Sequence, residues 1–167
     1  MRPLDLGFRF VSIHDNIKLQ HRLLTERFEA RRIALAVGWS MGAQQAFHLG
    51  AMYPDYVERI APFCGSAHTS RHNFVFLEGV KAALKADLTF EDGAYRKPPI
   101  EGLKAVGRVY AGWGFSQAFY RSECDTNDFG FPSLESFIVG FWEALFTKMD
   151  ANDLFAMLAT WQAADIS

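Results

Sequence analysis

The sequence has no long apolar run. Nowhere does it reach the roughly 18 continuous apolar residues that a membrane-crossing helix needs. It has only two cysteines, Cys64 and Cys124. That is too few for a disulfide scaffold or a four-cysteine zinc site. Neither sign of charge is in excess, with 17 basic residues against 19 acidic ones. This excludes the electrostatic drive behind nucleic-acid and acidic-membrane binding. Residues 1–10 carry Arg2, Asp5 and Arg9 without an apolar core, so they do not read as a secretion signal. The expected compartment is the cytoplasm. No repeat or low-complexity segment is present. Histidine is missing from most of the chain: the five are His14, His21, His48, His68 and His72.

What is present is a folded composition. The 167 residues are 50% hydrophobic and 22% charged, which excludes a disordered tail and suits one domain. Aromatic residues make up 15%, including 16 Phe. So many rings call for a large core or for an interface. Ile17, Gln20, Leu24 and Phe28 recur at helical spacing, which predicts a helix over 16–29 with Asp15 as N-cap. A short β-like stretch precedes it, over 8–13. Residues 33–37 form a continuous apolar run that ends at Gly38, and residues 57–63 form another that ends at Cys64-Gly65. Both read as fully buried parallel strands. Between them, 41–53 reads as a helix that Pro54 stops. Helix and buried strand in alternation is an α/β pattern. Beyond Gly65 the chain turns helical, over 74–88, 101–121, 133–148 and 150–163, with a loop over 91–99.

Between the first strand and the following helix lies Gly38-Trp39-Ser40-Met41-Gly42, a G-x-S-x-G motif. By composition such a pattern arises in about one chain in twenty of this length. The strand before it and the helix after it are the setting of a nucleophile elbow. There the serine sits on a strained turn, and small residues two before and two after it keep strand and helix from clashing. Ser40 is thus the candidate nucleophile, and the Met41 backbone N–H the candidate oxyanion donor. A plain strand-to-helix turn with a hydrogen-bonding serine is the competing reading.

The run Gly38-Trp39-Ser40-Met41-Gly42-Ala43-Gln44-Gln45-Ala46 resembles the homoserine O-acetyltransferase family of the α/β-hydrolase fold. So do Tyr53-Pro54-Asp55, Gly65-Ser66-Ala67, Pro98-Pro99 with Gly102-Leu103, and Asp150-Ala151-Asn152-Asp153-Leu154 with Trp161-Gln162. The resemblance implies a partial α/β-hydrolase core over 1–100 and a helical lid segment over 101–167. It implies acetyl transfer from acetyl-CoA to an acceptor hydroxyl through an acyl-Ser40 intermediate, with no bound cofactor or metal. The expected partner is a small-molecule substrate, with no nucleic acid and no membrane, and the lid helices offer a homodimer surface. The family has an arginine, and a tyrosine seven residues on, in its first lid helix. A direct count places Gly107 and Gly114 there; a shift of one gives Arg108 and Phe115. Arg108 is therefore a candidate substrate-binding residue. So is Arg71, in the loop that follows the second strand between His68 and His72. In this fold the order is nucleophile, acid, histidine. No histidine follows residue 72, and Asp55 and Glu58, the acids between Ser40 and His68, precede the second strand. The chain thus reads as the central portion of a longer enzyme. An esterase of small esters on the same scaffold, or a non-catalytic truncated product, are the alternatives.

Overall fold

Ser12 starts the first helix. In the computed structural model, which describes residues 10–167, its hydroxyl accepts from the Asp15 N–H at 3.1 Å. The Asp15 carboxylate accepts in return from the Ser12 N–H and hydroxyl. This is a capping box, with Asp15 at the third helical position and Ser12 as N-cap. Helix α1 is Ile13–Arg22 and continues as a π-helical turn, Leu23–Arg27. Residues 8 and 9 of the expected N-terminal strand lie outside the described residues. Residues 10–12 are irregular, and Ile13 is already helical.

Strand β1 is Ala36–Trp39, and β2 is Ile60–Phe63. They pair in parallel, from Ala36 opposite Ile60 to Trp39 opposite Phe63. The expected run 33–37 contributes only its end to β1. Ile33 instead makes an isolated bridge to Val57. Nor are the strands fully buried: Val37 is 64% and Trp39 68% exposed. The apolar run marked the strand's position, but burial needs neighbours on both faces and both edges, which two strands do not supply. Helix α2, Met41–Met52, connects β1 to β2 as an α/β crossover and packs on both strands and on α1. Ile13, Ile17, Leu49, Val57 and Ala164 form the core between these elements.

Helix α3 is Arg71–Lys85. A two-residue hairpin, β3 (Phe90–Glu91) with β4 (Ala94–Tyr95), stands inside the expected loop. Its corner is Asp92-Gly93, both at positive φ. Two positive φ values make the kind of turn that matches strand twist. The expected helix 101–121 is two helices. The first, α4, Ile100–Gly114, ends at an extended Phe115; Ser116 then caps α5, Gln117–Arg121. A short helix α6, Cys124–Asn127, follows. Next is one continuous run: α7 (Leu134–Phe137), a π segment (Ile138–Glu143) and α8 (Ala144–Phe146). The last helix is α9, Ala151–Gln162. The described residues form two compact units: 10–74 with Ala156–Ser167, and Val75–Phe155. The boundary drawn at residue 100 falls inside the second.

Candidate active site

Ser40 occupies the turn between β1 and α2, with φ 55° and ψ −122°. That is a sparsely populated region for a residue with a Cβ. The turn is held from three sides. The Ser40 N–H donates to Phe63 O at 2.9 Å, extending the β1–β2 ladder by one residue. The Ser40 carbonyl accepts from the N–H groups of Ala43 and Gln44. Gly38 lies so close to the helix that a Cβ there would overlap the Gly42 carbonyl group. The expected need for small residues is therefore real but unequal. A Cβ on Gly42 would meet nothing within 4 Å. The second close approach is at Gly65 instead, where a Cβ would come within 2.5 Å of the Ala43 Cβ and 2.6 Å of the Ser40 carbonyl oxygen.

Met41 and Gly42 open α2, so their amides have no acceptor within the helix. The Ser40 side chain makes no capping bond to them. A strained serine followed by two uncommitted helix-start amides places a hydroxyl beside hydrogen-bond donors. This arrangement can attack a carbonyl and stabilise the oxyanion that forms.

Among the described residues, three histidines have partners elsewhere. His48, buried in α2, places its ring nitrogens 2.8 Å from Gln44 O and 3.0 Å from Asp165 O. His68 Nδ1 is 3.2 Å from Asp165 Oδ2. His21 stacks on Tyr53 with ring centroids 3.8 Å apart. Glu58 pairs with Arg32 and Arg59. Arg71 begins α3 in an exposed position. Cys64, at the end of the second apolar run, is exposed at positive φ just beyond β2. Sequence reasoning also missed Gln44. It is buried, and its Nε2 donates to Thr69 Oγ1 at 2.9 Å; Thr69 Oγ1 in turn donates to Trp161 O at 2.6 Å. Its place one turn after Ser40 was the only available signal.

In the unit 75–155, Arg108 donates from Nε to Glu143 Oε1 and from Nη2 to Glu135 Oε1, each at 2.6 Å. These bonds, to Glu135 and then to Glu143, raise the guanidinium pKa still further, and they tie the π segment to α4. At Gly107 a Cβ would come within 2.9 Å of the Trp142 backbone, and at Gly114 it would overlap the Trp142 ring. Trp142 packs where side chains on these two positions would have to go.

No protein-family model matches the chain. It is 39% identical over 163 residues to an ethyl acetate hydrolase of Pseudomonas veronii, and 35% over 162 to a probable esterase of Corynebacterium glutamicum. Each match covers 96% of this chain and 46% of the relative. A homoserine O-acetyltransferase of Trichormus variabilis matches at 26% over 172 residues, 99% of this chain and 47% of the relative. Among solved structures, the acetyl esterase MekB superposes with a TM-score of 0.92 at 39% identity, over 96% of this chain and 47% of that one. An acetylester hydrolase from Corynebacterium glutamicum gives 0.90 at 34%, over 95% and 46%. A homoserine O-acetyltransferase from Bacillus anthracis gives 0.77 at 19%, a likeness of fold. The chain adopts part of the α/β-hydrolase fold and spans about half the length of the relatives it matches. The expectation of a homoserine-type acyltransferase is overturned, because the relatives with higher identity along nearly the whole chain are esterases.

Proposed function

We propose that the chain carries the nucleophile of an α/β-hydrolase esterase acting on small acetyl esters. The observation that carries this reading is the backbone of Ser40, held at positive φ between β1 and α2. The two esterase relatives supply the substrate class. In this reading Ser40 Oγ attacks the ester carbonyl while the Met41 N–H stabilises the oxyanion. The alcohol leaves with a proton, and water then cleaves acetyl-Ser40 to acetate. Water is the acyl acceptor, so acetyl-CoA has no part. A histidine takes the Ser40 proton, and the described contacts bring none to its Oγ. We place that histidine outside these 167 residues, in the additional length the relatives have. The reading includes a reducing compartment, supported by the two unpaired cysteines. Among the described residues no helix is long and apolar enough to cross a membrane.

The test is a chimera. This chain replaces the matching segment of the ethyl acetate hydrolase, and hydrolysis of ethyl acetate and p-nitrophenyl acetate is followed. The expected result is hydrolysis that Ser40→Ala lowers by at least about a thousandfold, together with fluorophosphonate labelling that the same change abolishes. Hydrolysis that persists in Ser40→Ala, or a folded chimera that neither hydrolyses nor labels, defeats the reading.

A further inference from the structure

His48 is 4% exposed, and both its ring nitrogens face carbonyl oxygens. Carbonyl oxygens only accept. A neutral imidazole has one N–H and serves one of these contacts; two N–H groups serve both. Gln44 O is on the ring's own helix, one turn back. Asp165 O belongs to the segment after α9, 117 positions away in sequence. A second histidine reaches the same residue through the His68–Asp165 pair, which is ionic only when His68 is protonated. The N–H and hydroxyl of Ser167 hold the Asp165 carboxyl below the ordinary carboxylate range, and the His68 charge adds to this. Asp165 is therefore anionic wherever a histidine changes charge. Backbone contacts complete the junction. Thr69 N–H donates to Ala164 O at 3.0 Å, and His68 and Asp165 form an antiparallel bridge.

We propose that His48 and His68 form a proton-dependent clasp on Asp165, which fastens the segment 164–167 to the helix that follows Ser40. Its consequence for catalysis rests on Ser40 being the nucleophile; the clasp itself does not. With both rings doubly protonated, every contact has its donor. Loss of a proton from His48 leaves one carbonyl without a donor, and loss from His68 removes the ion pair. The clasp thus loosens as the pH rises. Of the elements that pack on α2, β1 and β2 carry no titratable side chain, and α1 carries His14, Asp15, Lys18, His21 and Arg22. Of these, Asp15 is bonded to Ser12, Arg22 to Glu26, and His21 lies on Tyr53, while His14 and Lys18 are exposed.

The test uses the 167-residue chain and needs no activity, so its failure is separate from failure of the esterase reading. Hydrogen exchange at the Thr69 amide is followed from about pH 5.5 to about pH 8, the histidine range, and corrected for intrinsic rates. Protection is expected to fall by about tenfold, the effect of losing a charge-assisted bond. The fall should shrink in His48→Gln and in His68→Gln, vanish in the double variant, and persist in His14→Gln. Imidazole nitrogen NMR of the unaltered chain should show both His48 nitrogens bearing protons at the acid end and one at the alkaline end, in step with Thr69. A flat exchange profile, a double variant that keeps the pH dependence, or a His48 ring that holds one neutral form throughout overturns the proposal.

Discussion

The two compact units are stabilised in different ways. In residues 10–74 with 156–167, the apolar core is small and the strands expose Val37 and Trp39. Order there comes from backbone geometry and from polar bonds between distant residues, with Gln44, Thr69 and Thr160 donating to distant partners and His48 Nε2 lying 3.0 Å from Asp165 O. In residues 75–155 a large cluster of rings packs alongside buried aliphatic residues such as Leu77, Val80, Leu84 and Leu103. Phe137 is fully buried, with ring centroids 5.1–6.0 Å from those of Phe115, Phe119, Phe129, Phe131 and Phe141. Trp142 packs on bare glycine backbone beside them. The unit that presents Ser40 depends on where its backbone can go, and the ring-rich unit on how its side chains fill space.

This contrast can be broken first at Gly38. Gly38→Ala puts a methyl into the Gly42 carbonyl, and nothing but backbone is available to move. A loss of at least about 4 kcal/mol is expected in urea unfolding of the first unit, from the extreme tail of single substitutions. A loss under about 1 kcal/mol would mean the turn has another solution. Phe137→Ala is the matching cut in the second unit, and about 3 to 4 kcal/mol is expected from the cavity it leaves. Hydrogen exchange should rise in 75–155 while the Thr69 amide stays protected. Equal acceleration in both units would erase the distinction. Gly42→Ala sharpens the comparison from the other side. Its Cβ has open space and α2 gains a better helix former, so unfolding should shift by up to about 1 kcal/mol toward stability.

The smallest effect concerns acid. Burial pushes the Asp87 carboxyl up, but the hydroxyl and N–H of Thr89 and the N–H of Gly102 outweigh it and hold the group below its ordinary value. A depressed carboxyl contributes stability above its unfolded value and loses it as the pH falls through its folded one. Unit 75–155 should therefore weaken at the acid end, and Asp87→Asn should flatten that limb of a stability–pH curve. An unchanged limb would remove Asp87 from the account.

Legibility in the sequence followed distance along the chain. Helix α2 and its stop before Pro54 were readable because each rests on neighbours within one element, and the parallel pairing of the two apolar runs followed from the short helix crossover between them. The start of α1 was misread by three residues. Asp15 and Ser12 are both good caps, and only the reciprocal bonds decide between them. The Asp92-Gly93 hairpin was available as a turn signal but lay in a stretch read as loop because its strands are two residues long. Strand burial was misjudged because an apolar run records what a strand can bury and not whether neighbours cover it. Gly65 and His48 matter through Ala43 and Asp165, which no local pattern links to them.

By itself the sequence determined the elbow. Gly38, Ser40 and the abrupt change from strand to helix lie within a few residues, and hard-sphere sterics over so short a stretch leave the backbone few choices. It also determined the helical and aromatic character of residues 75–155. The tertiary structure alone decided that the Trp142 backbone meets Gly107 and its ring Gly114, which carboxylates hold Arg108, and which carbonyls face His48. These partners are separated by tens of residues or more. They meet only after packing has selected one arrangement from many that satisfy the same local periodicities.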